Sequence, residues 1–145
     1  MNLYDKIRAG IETHGHFVLT IFGTESAPPF AYTIGLSEKY GHEIVVIGLP
    51  PEIGHPILNS AARLMAAGQL PLNTPLVDIA SMPVILRECS PELMGDYGIQ
   101  AGRYYQRDDI KFLQLVWPDA AGRFPEDPQF DAHMRRVQPL LYVLQ

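Results

Sequence analysis

The sequence predicts an α+β domain, with a mainly antiparallel sheet or a partly open, split-barrel-like barrel and two to three helices. Three observations lead there. Short runs of β-branched and aromatic residues recur between turns rich in glycine and proline. Apolar residues fall at helical spacing in only a few segments. No regular strand–helix alternation marks a doubly wound sheet.

In chain order, Leu3, Ile7 and Ile11 are four apart and predict a short opening helix. His16 to Phe22 reads as a strand, and Gly23 to Pro29 as a turn. In Phe30 to Leu36 the large residues Phe30, Tyr32, Ile34 and Leu36 share one face, and Ala31, Thr33 and Gly35 the other. That small face leaves room for another backbone or a ligand. Ser37 to His42 is a polar turn. Glu43 to Leu49 is an apolar run suited to a central strand covered on both sides. Ile53, Ile57, Ala61, Leu64 and Met65 predict the main helix, ending at Gly68. Pro56 fits only near a helix start, so the regular helix is expected from His55 or Pro56. Short strands are expected at Leu76–Ile79 and Val84–Arg87, a helix around Tyr97–Tyr105, and a strand at Phe112–Trp117. Pro118 to Pro125 is a turn, and Leu140 to Leu144 a final strand or docking tail.

With 145 residues, 47% apolar and 19% charged, the chain has the make-up of one ordinary globular domain. We take 1–145 as a single domain. Eleven Lys and Arg against 16 Asp and Glu give a net charge of −5, which argues against a general nucleic-acid binder. One cysteine, Cys89, excludes an internal disulfide framework. The first residues carry no secretory h-region, and no run approaches the ~20 apolar residues of a membrane helix. A cytoplasmic location and no membrane partner are the expectation.

Linear motifs for chemistry are absent. There is no phosphate-binding glycine loop and no G-x-S-x-G nucleophile elbow. His14 and His16 form an H-x-H pair, the weak starting point of a metal site that Glu43, His42 or His55 would have to complete. Cys89 has nothing local to lower its pKa, and a lone cysteine beside a strand is ordinarily a small buried hydrophobe. The acid pairs Asp108-Asp109 and Glu126-Asp127 read as solvated loop charges.

Polar side chains lodged in apolar segments stand out more. Thr33, Asn59 and Gln114 are costly to bury unless hydrogen-bonded. One reading gathers them around a ligand, with Tyr32 and Trp117 stacking on it and Arg123 meeting a negative group. The structural reading puts Gln114 on a wet sheet face, Asn59 on the wet side of its helix and Trp117 in the core. Asp119 suits a turn-holding role after the strand.

The segments Gly15-His16-Phe17-Val18, Pro29 to Leu36, Gly41 to Leu49, Leu58-Asn59, Gly68, and Leu113 to Asp119 through Phe124-Pro125 resemble domain-of-unknown-function family 4262, an uncharacterised bacterial family. The resemblance runs from about residue 11 to 125 and leaves 126–145 as a C-terminal tail. Members often read Gly-His-Pro-Glu where this chain has Gly41-His42-Glu43. The resemblance implies hallmark residues but no activity. The order of elements is also similar to the opening of flavin-binding split barrels, which hold their ligand on the barrel, often at a dimer interface. The leading expectation is therefore a small-molecule-binding domain, with flavin or nucleotide as ligand and a homodimer as a possible assembly. Its sites would be Tyr32, Thr33, Asn59, Gln114, Trp117, Asp119 and Arg123. The alternatives are a protein-interaction or immunity-type module without catalysis and, last, a metal-dependent hydrolase on His14 and His16.

Overall fold

The computed structural model describes residues 1–144. The chain opens with α1 (Leu3–His14), β1 (Phe17–Ile21), β2 (Phe30–Ile34), a single-turn α2 (Ser37–Tyr40) and β3 (Glu43–Ile47). It continues with α3 (Pro51–Ala66), β4 (Ile85–Glu88), α4 (Pro91–Met94), α5 (Ile99–Tyr105), β5 (Phe112–Val116) and α6 (Met134–Val137). The class is α+β, and the three helices longer than a turn or so are α1, α3 and α5.

The strands form one five-stranded mixed sheet in the order β1-β2-β3-β5-β4, and it does not close on itself. β1–β2, β2–β3 and β4–β5 are antiparallel, and β3–β5 is parallel. The chain leaves β3 through α3, lays down the edge strand β4, then returns through α4 and α5 to insert β5 between β3 and β4. That late insertion makes β3 and β5 the centre, and both are buried along their whole length.

Strand alternation divides the core in two. Val18, Ala31, Ile44, Val46, Leu113 and Leu115 face α3, where Ile57, Leu58, Ala61 and Ala62 meet them. Tyr32, Ile34, Val45, Ile47 and Phe112 face the other way, toward Ile7 of α1 and Ala101 of α5. Each fully buried Leu or Ile here contributes about 1.5–3 kcal/mol. With both sheet faces covered, Gln114 is not on a wet face; it is fully buried.

α1 begins with a capping box: Asp5 N–H donates to Asn2 Oδ1 at 2.9 Å, and Asn2 N–H to Asp5 Oδ2 at 3.3 Å. α3 starts earlier than the sequence suggests, at Pro51 rather than His55 or Pro56. Pro51 occupies the first turn, where its missing N–H costs nothing. Pro56 then lies inside the helix and frees only the Glu52 carbonyl, on an exposed residue that water can satisfy. The expected strand at Leu76–Ile79 shrinks to one bridge, Leu76 with Val84. Two glycines matter for close approach. A Cβ on Gly48 (φ +94°) would run into the Val137 carbonyl, and one on Gly98 (φ +79°) into the Phe112 ring. The first lets the C-terminal segment cross the end of β3; the second lets α5 sit on β5.

Candidate ligand cleft

The polar residues singled out in the sequence are spent on internal bonds. Thr33 Oγ1 donates to Glu43 Oε1 at 2.8 Å and accepts from Ile44 N–H at 2.9 Å. Asn59 Oδ1 lies 2.8 Å from His16 Nε2, joining α3 to the start of β1. Gln114 donates to the Pro139 carbonyl at 2.9 Å and accepts from Leu141 N–H at 2.8 Å. The Trp117 indole N–H donates to the Ile47 carbonyl at 2.8 Å. The Tyr32 hydroxyl accepts from Gln100 N–H at 3.0 Å, and its ring packs edge-on to Phe112. Burial pushes that phenol up to about 12.

These groups do not surround one hollow. Ala31 and Leu113 face α3, so by alternation Thr33 shares that side, whereas Gln114 shares the opposite side with Phe112. Among the described residues, no buried side-chain nitrogen or oxygen lacks a partner. His14 is exposed at the end of α1, while His16 is buried and bonded to Asn59. No group of three or more His, Cys, Asp or Glu converges among the described residues.

Asp119 organises the turn after β5. Its carboxylate accepts from Ala121 N–H, Arg123 N–H, Asp131 N–H and the Arg123 Nε at 2.8–3.2 Å. Desolvation pushes this carboxyl up, but the bonds from Arg123, Asp131 and Ala121 outweigh it and hold it below the ordinary value. A depressed folded pKa contributes stability at pH above the unfolded value of about 3.9, and that contribution is lost as pH falls through the folded value. We therefore expect the stability of the unaltered chain to fall more steeply below about pH 4 than that of Asp119→Asn. Parallel urea melts at pH 3 and pH 6 check this; equal slopes would refute it.

Glu43, which the sequence offers only as a further ligand for a metal site on His14 and His16, belongs to a different cluster. It is fully buried at the start of β3, and its carboxyl accepts five hydrogen bonds. The donors are Thr33 Oγ1, the N–H groups of Gly35, Leu36 and Ser37, and the Tyr105 hydroxyl, at 2.6–3.2 Å. Burial pushes the carboxyl up, and the bonds from Tyr105, Thr33, Ser37 and Leu36 act against it. Burial and the nearby Glu43 charge also raise Tyr105, so it stays protonated and donates. The cluster ties the end of β2, the start of β3 and the end of α5 together.

Open space lies elsewhere. A cleft of about 1400 Å³ runs between β4, α4, α5 and the segment leading into β5. Its apolar lining comes from Cys89, Met94, Tyr97, Ile110 and Phe112. Desolvation, with Glu88 beside it, pushes the Cys89 thiol up to about 12, so it is a neutral lining group and not a thiolate nucleophile. At one end Arg87 meets Glu126 at 3.3 Å and Asn73 at 3.0 Å, and its guanidinium lies 5.9 Å from the Tyr142 ring centre. At the other, Arg107 grips Asp109 with two bonds of 2.8 and 2.9 Å. Arg103 and Lys111 also line the cleft, and among the described residues neither has an ion-pair partner. Glu88 and Asp108 line it too, so the cleft has room for an apolar body among charges of both signs, with Arg103 and Lys111 the cations that can meet an anionic group. Tyr32, Thr33, Asn59, Gln114, Trp117, Asp119 and Arg123 do not line it.

The lining residues come from segments spread between Asn73 and Val143, and no local pattern joins them. The one readable trace is the density of charges at 107–111 beside a tyrosine- and glycine-containing stretch. A family model described as "Domain of unknown function (DUF4262)" matches residues 10–131. No curated protein and no solved structure matches the chain.

Proposed function

The chain belongs to the DUF4262 family, whose description assigns no activity, and from its own geometry we propose that it binds a small molecule in the cleft between β4 and α4–α5. The observation that supports this is the pairing of an apolar floor with two unpaired cations in a cleft of about 1400 Å³. Its size accommodates a ligand with a ring system and a tail. Met94, Tyr97 and Phe112 pack against the ring, and Arg103 and Lys111 hold a phosphate or carboxylate. Flavins and nucleotides have that make-up. If a flavin binds, the redox chemistry is the cofactor's, and these residues supply binding and orientation.

Native mass spectrometry of freshly purified protein reads any bound mass directly. Thermal melts with FMN, FAD and adenine nucleotides extend the test. A ligand at a hundredfold excess over its Kd adds about 2.7 kcal/mol of stability, a rise of roughly 5–10 °C. Arg103→Ala and Lys111→Ala should each weaken binding about tenfold or more, through loss of a charged hydrogen bond. Arg123→Ala, outside the cleft, should leave binding unchanged. No bound mass and no shift with these compounds would overturn the proposal.

A further inference from the structure

We propose that the outer edge of β1 is a self-association surface. Two copies pair their β1 strands antiparallel about a twofold axis through Leu19, joining two five-stranded sheets into one of ten. The inference rests on the edges of the sheet and is independent of the cleft.

The two edge strands are treated differently. The β4 edge is covered: Asn73 N–H donates to the Leu86 carbonyl at 2.9 Å, and Leu76 and Val84 exchange bonds of 2.8 and 3.0 Å. The β1 edge has no such cover. On one side Phe17 to Ile21 pair with β2; among the described residues their other backbone groups bond to no further segment. Such a row of unpaired N–H and C=O groups is a template for another strand.

Edge strands are usually protected by charge, proline or a bulge. His16 to Phe22 contains no Lys, Arg, Asp, Glu, Pro or Gly. In a chain of net charge −5, this edge can meet itself without like charges opposing. At its end Phe22 is 75% exposed, the most exposed aromatic side chain among the described residues. That ring lies beside the open edge, where a strand paired to it would cover it.

We take the occupant to be a second copy, because an uncharged edge is where a chain of net charge −5 can meet itself, and we set the register on Leu19. Centred on Leu19, it sets Phe17 opposite Ile21 and Val18 opposite Thr20, and Leu19 opposite itself. Phe22 falls opposite His16. The half-buried row Phe17, Leu19 and Ile21, which packs toward the α1 side, then continues into the same row of the partner. A twofold interface of this kind is self-complementary by construction.

Sedimentation equilibrium of the unaltered chain from 1 to 100 μM, about the span over which a micromolar dimer dissociates, should show a monomer–dimer equilibrium. Phe22→Ser removes an exposed side chain and leaves the fold intact. It should raise the dimer dissociation constant about tenfold or more. Leu19→Cys should form a disulfide-linked dimer on mild oxidation, whereas Thr20→Cys, which meets Val18, should not. Hydrogen exchange should show concentration-dependent protection of the Phe17–Ile21 amides. A 16.2 kDa monomer at every concentration would overturn the proposal. So would a dimer that leaves those amides unprotected.

Discussion

Glu43→Ala should destabilise the fold by about 4 kcal/mol and lower Tm by roughly 10 °C. The substitution removes the acceptor shared by five donors around a fully buried carboxyl. Three of those donors are consecutive backbone N–H groups: Gly35, which also bonds the Tyr105 hydroxyl at 2.7 Å, and Leu36 and Ser37, which have no other acceptor if the turn keeps its shape. Leaving buried donors unpaired costs more than forming the bonds gained. Tyr105→Phe removes the bond to Glu43 and the one accepted from Gly35 N–H, but leaves Gly35 its bond to Glu43, so about 1–2 kcal/mol is expected. Glu43→Gln should fall between the two, because its amide keeps one acceptor oxygen but turns an NH2 group toward donors. Thermal and urea melts of the three variants check the order. A Glu43→Ala protein melting within about 2 °C of the unaltered chain would show that the cluster adds nothing, since that shift is under about 1 kcal/mol for a chain of this size.

Glu43 also shows where sequence reading stops. The strand it opens was legible, because Ile44 to Ile47 form an unbroken apolar run, and such runs suit a strand covered on both faces. Its charge was not. An acid at the first position of a strand ordinarily faces water, and only the return of α5 with Tyr105, more than sixty residues on, buries it. Thr33 was visible as a polar residue in an apolar strand, but its partner was not. The same limit applies to Gln114 and Asn59. Sequence spacing tells which face a side chain takes, and long-range pairing decides whom it meets. Local periodicity likewise placed β1, β2 and β5 to within a residue or two. It missed the start of α3, because Pro56 reads as a boundary when the exposed Glu52 carbonyl lets it sit inside. The cleft left almost no trace, since its walls come together only when β5 inserts beside β4.

Gln114→Leu is expected to cost about 3 kcal/mol and to free the C-terminal segment. The side chain is fully buried, and its amide bonds the Pro139 carbonyl and Leu141 N–H. A leucine of similar volume fills the space and leaves both backbone groups unpaired. Gln138 makes the reciprocal clamp, accepting from Trp117 N–H at 3.0 Å and donating to the Trp117 carbonyl at 2.9 Å. A third link runs from Ser90 N–H to the Leu141 carbonyl at 2.7 Å. All three fasten residues beyond 131, where the family match ends, to β5 and the end of β4. Because both amides hold one segment, the double substitution Gln114→Leu with Gln138→Leu should cost less than the sum of the singles by more than about 0.5 kcal/mol. Limited proteolysis should cut near residue 140 in each variant and spare the unaltered chain. Tyr142 and Val143 form part of the cleft wall, so releasing the segment should also weaken any ligand held there. Additive losses with no new cleavage would mean that the two glutamines act separately and that the tail stays docked without them.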